Sequence, residues 1–255
     1  MTATRRSPLT LAVIAVVVLG TLGAAGGLAY LFLRAAPPPA VGIATGSPGS
    51  GGPAASPGAG ASLPVGTIGP EGIDGTWTLD PSIGSYSDFT SSFVGYRVNE
   101  TLADVGANTA VGRTPIVTGS LVLDGSTVTS VDITADLSHL RSDDDRRDGR
   151  LREQAIETGQ FPLSTFKLTT PIALGSLPVD GQTIDATATG ELTLHGVTKT
   201  VSVPIRATLS GDVVTVIGSI EIQFDDYGIE QPTSFLVLSI EDHGTMELQL
   251  HFRRG

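Results

Sequence analysis

Four histidines, His139, His195, His243 and His251, are the side chains best suited to hold a metal or move a proton near neutral pH. A helical metal site would place two of them as H-x-x-x-H or H-E-x-x-H, and no pair here has that spacing. His195 ends an alternating run beside Gly196, and His251 alternates with Leu250 and Phe252. They read as edge and surface histidines, since a metal would require three distant strands to converge. Residues 143–148 are acid-rich, but Arg146 and Arg147 interrupt the D-x-D-x-D-G spacing of a calcium loop. That run reads as a helix cap and a solvated face. No serine sits in a G-x-S-x-G elbow, and Ser91-Ser92 falls in a strand or turn context. Asp225-Asp226 precedes Tyr227-Gly228 and reads as a turn start rather than a pair of general acids. Catalysis would need His139, His195 or His243 to meet carboxylates in a cleft, and nothing in the sequence directs that. The reading is a protein that is not an enzyme, with no catalytic residue, no metal and no cofactor.

Composition narrows the alternatives. The 255 residues include no cysteine, which excludes disulfides, thiolate zinc sites and cysteine nucleophiles. Net charge is −11 and is unevenly spread. Arg5, Arg6 and Arg34 precede Glu71, whereas all 26 acidic residues lie from Glu71 onward, giving that part a net charge of −14. An acidic domain repels phosphate backbones, so nucleic acid is not an expected partner. It also offers no basic patch for anionic lipid headgroups.

The first 34 residues read as a cytoplasmic stub and a transmembrane anchor. Between Arg6 and Arg34 lie 27 residues without charge, centred on 9–33, and about 20 apolar residues suffice to cross a bilayer. A cleaved signal peptide would have a shorter apolar core, and Leu33-Arg34-Ala35-Ala36 is a poor cleavage site. Arg5 and Arg6 against Arg34 favour a cytoplasmic N-terminus in a single-pass arrangement. Gly23 and Gly27 form a small-xxx-small pair through which two anchors could weakly self-associate. Residues 35–75 hold 8 of the 16 prolines and 11 of the 32 glycines and read as a disordered linker. As flexible coil it would span roughly 35 Å.

From Trp77 the pattern has period two. Strands are expected over 75–80, 87–101, 116–124, 127–137, 164–174, 183–195, 199–210, 213–224, 235–240 and 245–253. Hairpin turns are expected at Asp124-Gly125, Gly196-Val197-Thr198 and Ser210-Gly211-Asp212, with a join at His243-Gly244. One charged segment, 142–158, reads as a short helix. Ser142 and Asp145 have capping-box spacing, and Leu151, Ala155 and the Arg147 stem share a face. Gly159 stands at a C-cap position and Pro162 prevents continuation. The helix would cover one end of the sheet structure. The fold class is all-β, an antiparallel lipocalin-like barrel of about eight strands in residues 76–255.

Strand parity names the inward positions. They include Ile133 and Ala135; Phe166, Leu168 and Ile172; Ala186, Ala188 and Leu192; Val203 and Ile205; and Val216, Ile220 and Phe224, with Phe93 from the second strand. Val131, Leu194, Val201 and the row Met246, Leu248, Leu250 and Phe252 continue the same faces. An eight-stranded barrel is either filled by side chains or holds one small ligand. Ala135, Ala186, Ala188, Gly190, Ala207 and Gly218 point to a cavity, while Phe166, Phe224 and Phe252 could fill it. Those two interiors correspond to two functions: a lipid-binding barrel, or a solid-cored β module for protein interaction in the cell envelope.

An ordered set of short motifs resembles the YceI-like family across residues 76–252. The set runs Trp77-Thr78-Leu79-Asp80, Ser91-Ser92-Phe93, Arg147-Asp148 with Leu151, and Phe161-Pro162 with Thr165-Phe166. It continues with residues 190–199, reading GELTLHGVTK, and with Asp226-Tyr227-Gly228-Ile229. The resemblance implies a lipocalin-like barrel with an elongated apolar cavity, a polyisoprenoid or related long-chain lipid as partner, and a place in the periplasm or beyond the membrane. The fourteen inward residues named above would then contact lipid. Two departures stand out. The family often places a histidine shortly after the S-x-F segment, where this chain has residues 95–100, and many members are secreted whole.

Overall fold

A computed structural model describes residues 37–41, 72–103 and 105–255. The strands are β1 (Gly75–Leu79), β2 (Phe93–Leu102), β3 (Gly106–Thr114), β4 (Val117–Asp124), β5 (Thr127–Asp136) and β6 (Leu163–Leu168). They continue as β7 (Ile172–Ala173), β8 (Thr183–Leu194), β9 (Val197–Ser210), β10 (Val213–Gln223), β11 (Val237–Ile240) and β12 (His243–Arg254). Eight of them close a ring in the order β1-β4-β5-β6-β8-β9-β10-β12, with β12 returning to β1 through Trp77↔Arg254 and Leu79↔Phe252. All pairings are antiparallel. Closure removes the exposed edges that an open sheet would present. Below the short β1 contact, β12 pairs instead with β2, and β2 carries β3 and β11 on its other flank and end.

The turns follow from local chemistry. His195 (φ 50°) and Gly196 (φ 74°) both take the left-handed region, so a two-residue turn joins Leu194 to Val197. The expected turn at Gly196-Val197-Thr198 therefore sits one residue earlier. The strand expected over 87–101 begins only at Phe93. Ser85 caps a 3₁₀ turn at Tyr86–Asp88, Phe89 is left-handed, and the Asp88 carboxylate accepts from the Thr90 amide. The stretch 164–174 splits at Pro171, which has no amide to donate to a ladder; β6 pairs with β5 and β8, and β7 with β5 alone. β11 makes no hairpin with β12, since both lie along β2. β3 was not expected, because its sequence GANTAVGRT has few strand-forming residues. Nine register pairs to β2 hold it in place.

The charged segment forms α1 (Asp145–Arg150), followed by a π-helical turn at Leu151–Ala155. Asp144, not Ser142, is the N-cap: its carboxylate accepts from the Arg146 and Arg147 amides. Ser142 instead donates from its amide and hydroxyl to the buried Asp148 carboxylate, the hydroxyl at 2.6 Å. The C-terminal left-handed residue is Glu157 (φ 48°) rather than Gly159. The core begins at Ile73, whose carbonyl accepts from the Trp77 indole at 2.9 Å. Residues 9–33 lie outside the described residues, and among those described no helix is long and apolar enough to cross a membrane.

Candidate functional site

The inner face of the ring encloses a cavity of about 160 Å³ with an almost wholly apolar wall. Trp77 and Phe252 close one side, and Ile133, Ala135, Phe166, Ile172, Ala186, Ala188, Leu192, Val203, Ile205 and Val216 form much of the rest. The small positions divide into two kinds. The alanines at 135, 186, 188 and 207 face open space. Gly190 is instead covered by an aromatic ring: a Cβ there would lie 2.6 Å from Phe166 Cζ. Gly218 is similarly backed by Ile205 and Leu248. The phenylalanines thus occupy part of the interior without filling it.

A larger cavity, about 480 Å³, adjoins the first, and Val94, Ser164 and Met246 line both. Its volume lies within the roughly 300–1,000 Å³ of ligand pockets. The inward face of β2, α1 with its π turn, and residues 229–237 bound it. Its lining includes Phe224 as well as Arg146 and Phe235, 72% and 87% exposed, so the cavity reaches the surface. Its polar wall is assembled from β2 and α1. Arg147 meets Glu100 at 2.8 Å and also binds Asp143, while Asn108 donates to Glu100. Burial works against the Arg147 charge, but the Glu100 and Asp143 carboxylates outweigh it and raise its pKa. The Tyr96 hydroxyl on this wall is buried and has no hydrogen-bond partner, and burial pushes its pKa up. Parity alone could have found Tyr96, two residues from Val94 on the same face. The Glu100–Arg147 pair joins residues 47 apart and has no local sequence signal.

Three of the fourteen inward candidates are placed elsewhere. Phe93, two residues before Gly95, lies on the opposite face of β2 from Val94 and Tyr96, and Arg113 stacks on its ring at 4.1 Å. Leu168 ends β6 opposite Gly190 and lines neither cavity. Ile220 keeps the inward parity but packs against the Leu192, Ile222 and Tyr227 cluster between the two cavities. The other eleven line one cavity or the other.

The histidines are dispersed. His139 contacts Asp136. His195 sits between the Tyr227 carbonyl and the Glu157 carboxylate, each at 3.0 Å, with Phe161 edge-on at 4.6 Å. His243 lies beside Asp242, and His251 is buried against Thr90 and Thr215. Among the described residues, no three histidine, aspartate or glutamate side chains gather into a metal site. The arrangement can enclose an apolar molecule and offer a few polar groups at one end. The hydroxyls that meet a histidine ring, Ser138 at His139 and Thr215 at His251, line neither cavity.

Comparison with known proteins agrees with this geometry. The domain of a polyisoprenoid-binding domain from Saccharophagus degradans, implicated in plant cell wall breakdown, superposes with a TM-score of 0.54 at 16% identity, covering 72% of this chain and all of that one. Burkholderia cenocepacia BcnA aligns at 0.49 and 19% identity, covering 63% of this chain and 95% of its own. A Campylobacter jejuni YceI protein aligns at 0.47 and 16%, covering 56% and 84%. At 16% identity the first of these likenesses speaks for the fold alone. No curated protein matches the chain. The model of the YceI-like domain matches residues 77–252, which run from within β1 to within β12, and the chain belongs to the YceI-like domain family.

Proposed function

We propose that the protein is a membrane-tethered, extracytoplasmic binding protein. It holds an isoprenoid or other long apolar lipid in the two adjoining cavities and catalyses no reaction. The observation that carries this reading is the apolar space itself, about 160 Å³ inside the ring and 480 Å³ at its mouth. Burying a methylene contributes about 0.8 kcal/mol, so a chain threading both cavities gains affinity along its length. A solid-cored interaction module would leave no such space. The unpartnered Tyr96 hydroxyl beside Glu100 and Arg147 suits a polar head end. The exposed Phe235 and Leu236 at the mouth suit passage of an apolar ligand. Tethering and a cytoplasmic N-terminus follow from the uncharged run at 9–33 and its flanking arginines.

The test is to purify residues 71–255, which contain the whole ring, extract with organic solvent and analyse by mass spectrometry. A stoichiometric long-chain lipid is expected. No lipid, together with no uptake of a fluorescent prenyl probe, refutes the reading. Protease protection of the full chain in intact cells tests the location.

A further inference from the structure

The barrel carries a second built site on its outer surface. In the register of β12, β2 and β3, Glu247, Gly95 and Arg113 stand side by side. A Cβ at Gly95 would lie 2.7 Å from Arg113 Cγ, so glycine is what allows the arginine to cross β2. Arg113 meets Glu247 at 2.7 Å, and Arg97 Nε donates to the same carboxylate at 2.9 Å. Arg113 is 2% exposed and Glu247 1%. Charges are buried so deeply only when paired and hydrogen-bonded on their remaining positions.

Those remaining positions are taken by residues 37–41. Arg97 Nη2 donates to the Pro38 carbonyl and Arg113 Nη2 to the Pro39 carbonyl, the latter at 2.9 Å. The Val41 amide donates back to Glu247 at 3.3 Å. Three consecutive prolines have no amide hydrogens and a preset extended backbone, so they present free carbonyls at little cost in ordering entropy. This segment is therefore not the free coil expected of residues 35–75.

We propose that the outer face of β2, β3 and β12 is an intramolecular receptor for the segment Pro37-Pro38-Pro39, and that its occupancy sets the distance of the barrel from the N-terminal apolar run. Only Arg34, Ala35 and Ala36 separate that run from Pro37. At ~3.6 Å per residue they reach about 10–15 Å, against roughly 35 Å for a free linker. The statement about distance rests on the membrane reading above; the docking does not.

The cysteine-free chain allows a direct test. Spin labels at Ala40→Cys and at the exposed Glu191→Cys, in the full chain, report the separation by pulsed electron resonance. In detergent micelles and in phospholipid nanodiscs alike, one narrow distance is expected. Replacing all three prolines by glycine should abolish the narrow peak with the barrel still folded; Arg97→Gln should abolish it at a lowered melting temperature, because it also takes a partner from the buried Glu247. A broad distribution in the parent chain overturns the docking, and a narrow one that survives the glycine replacement overturns the role given to the three prolines. Should Arg97→Gln unfold the barrel, the glycine variant alone decides. Failure of the chain to enter nanodiscs, with the narrow distance intact, overturns only the statement about the membrane.

Discussion

The two faces of β2 and β12 are buried by opposite chemistry. Inward, Val94, Tyr96 and Val98 meet Met246, Leu248 and Leu250 around open space. Outward, the same strands present Phe93, Gly95 and Arg97 beside Glu247, Gln249 and His251, and these are also buried or nearly so. There every polar group is engaged: Gln249 donates to the Phe89 and Ser91 carbonyls, and His251 donates to the Thr90 carbonyl. The inner space stays open where alanines of β5, β8 and β9 face it. The polar face is closed because unpaired buried charge is costly. Burial alone therefore does not mark the ligand side of a barrel wall; the chemistry of what is buried does.

The largest expected effect breaks the outer face. Glu247→Ala strips the carboxylate from two arginines and should cost about 3–5 kcal/mol. At roughly 2–4 °C per kcal/mol for a domain of this size, the melting temperature should fall by about 6–20 °C in a thermal scan. A fall under about 2 °C would show that the ion-pair cluster holds nothing together. The inner face should answer differently. Ala188→Trp places an indole in the smaller cavity and should cut lipid uptake about tenfold or more, while overpacking costs about 1–3 kcal/mol. Unchanged uptake of a prenyl probe by a folded Ala188→Trp variant would exclude that cavity as the lipid site.

A smaller effect sharpens the comparison within the inner face. Tyr96→Phe removes a buried hydroxyl that has no partner on the wall of the larger cavity. A neutral hydrogen bond to a ligand contributes about 0.5–1.5 kcal/mol, so affinity for a lipid with a polar head should drop roughly two- to tenfold. Stability should stay level or rise, because a buried hydroxyl without a partner is destabilising. Equal binding of polar-headed and hydrocarbon-only probes by the parent chain would remove Tyr96 from recognition. Titration calorimetry of both proteins with both probes measures this.

Much of this division was legible in the sequence, and its limits are physical. Period-two alternation placed β5, β8, β9, β10 and β12 with their inward rows, because one face of each is continuously apolar. Eleven of the fourteen inward candidates line the cavities for that reason. Phe93 was expected inward, yet its parity follows Gly95 and Arg97, and the partner that stacks on it is an arginine from β3. β3 itself was hidden by its alanine, asparagine and glycine content. The Glu100–Arg147 and Glu247–Arg113 pairs join residues distant in the chain, so no local pattern announces them. The short signature at 190–199 marked the family, and in the structure it is chiefly cavity wall and turn: Leu192 and Leu194 face inward and His195 braces the hairpin.

The smallest effect concerns the two histidines at opposite ends of β12. Burial lowers the pKa of His251 from its ordinary value of 6.5, only partly opposed by the Thr90 carbonyl. The unfolded chain then binds a proton that the folded one refuses, so stability falls as pH drops below about 6.5 and levels off below the depressed folded value. His243 has the opposite sign. Its hydrogen bond to Asp242, then Glu221 and Glu241, raises its pKa, so its contribution is full below 6.5 and is lost as pH rises through the raised value. In the parent chain the two slopes oppose each other. Removing the exposed one with His243→Asn should leave a melting temperature that declines as pH falls from about 7.5 to 5.5. Adding His251→Gln should flatten that decline. A decline that persists in the double variant would mean that the buried outer row of β12 is not what senses the proton. Asp80, Asp136 and Asp144, whose pKa values are held below the usual 3.8, act only at lower pH and leave this window clear.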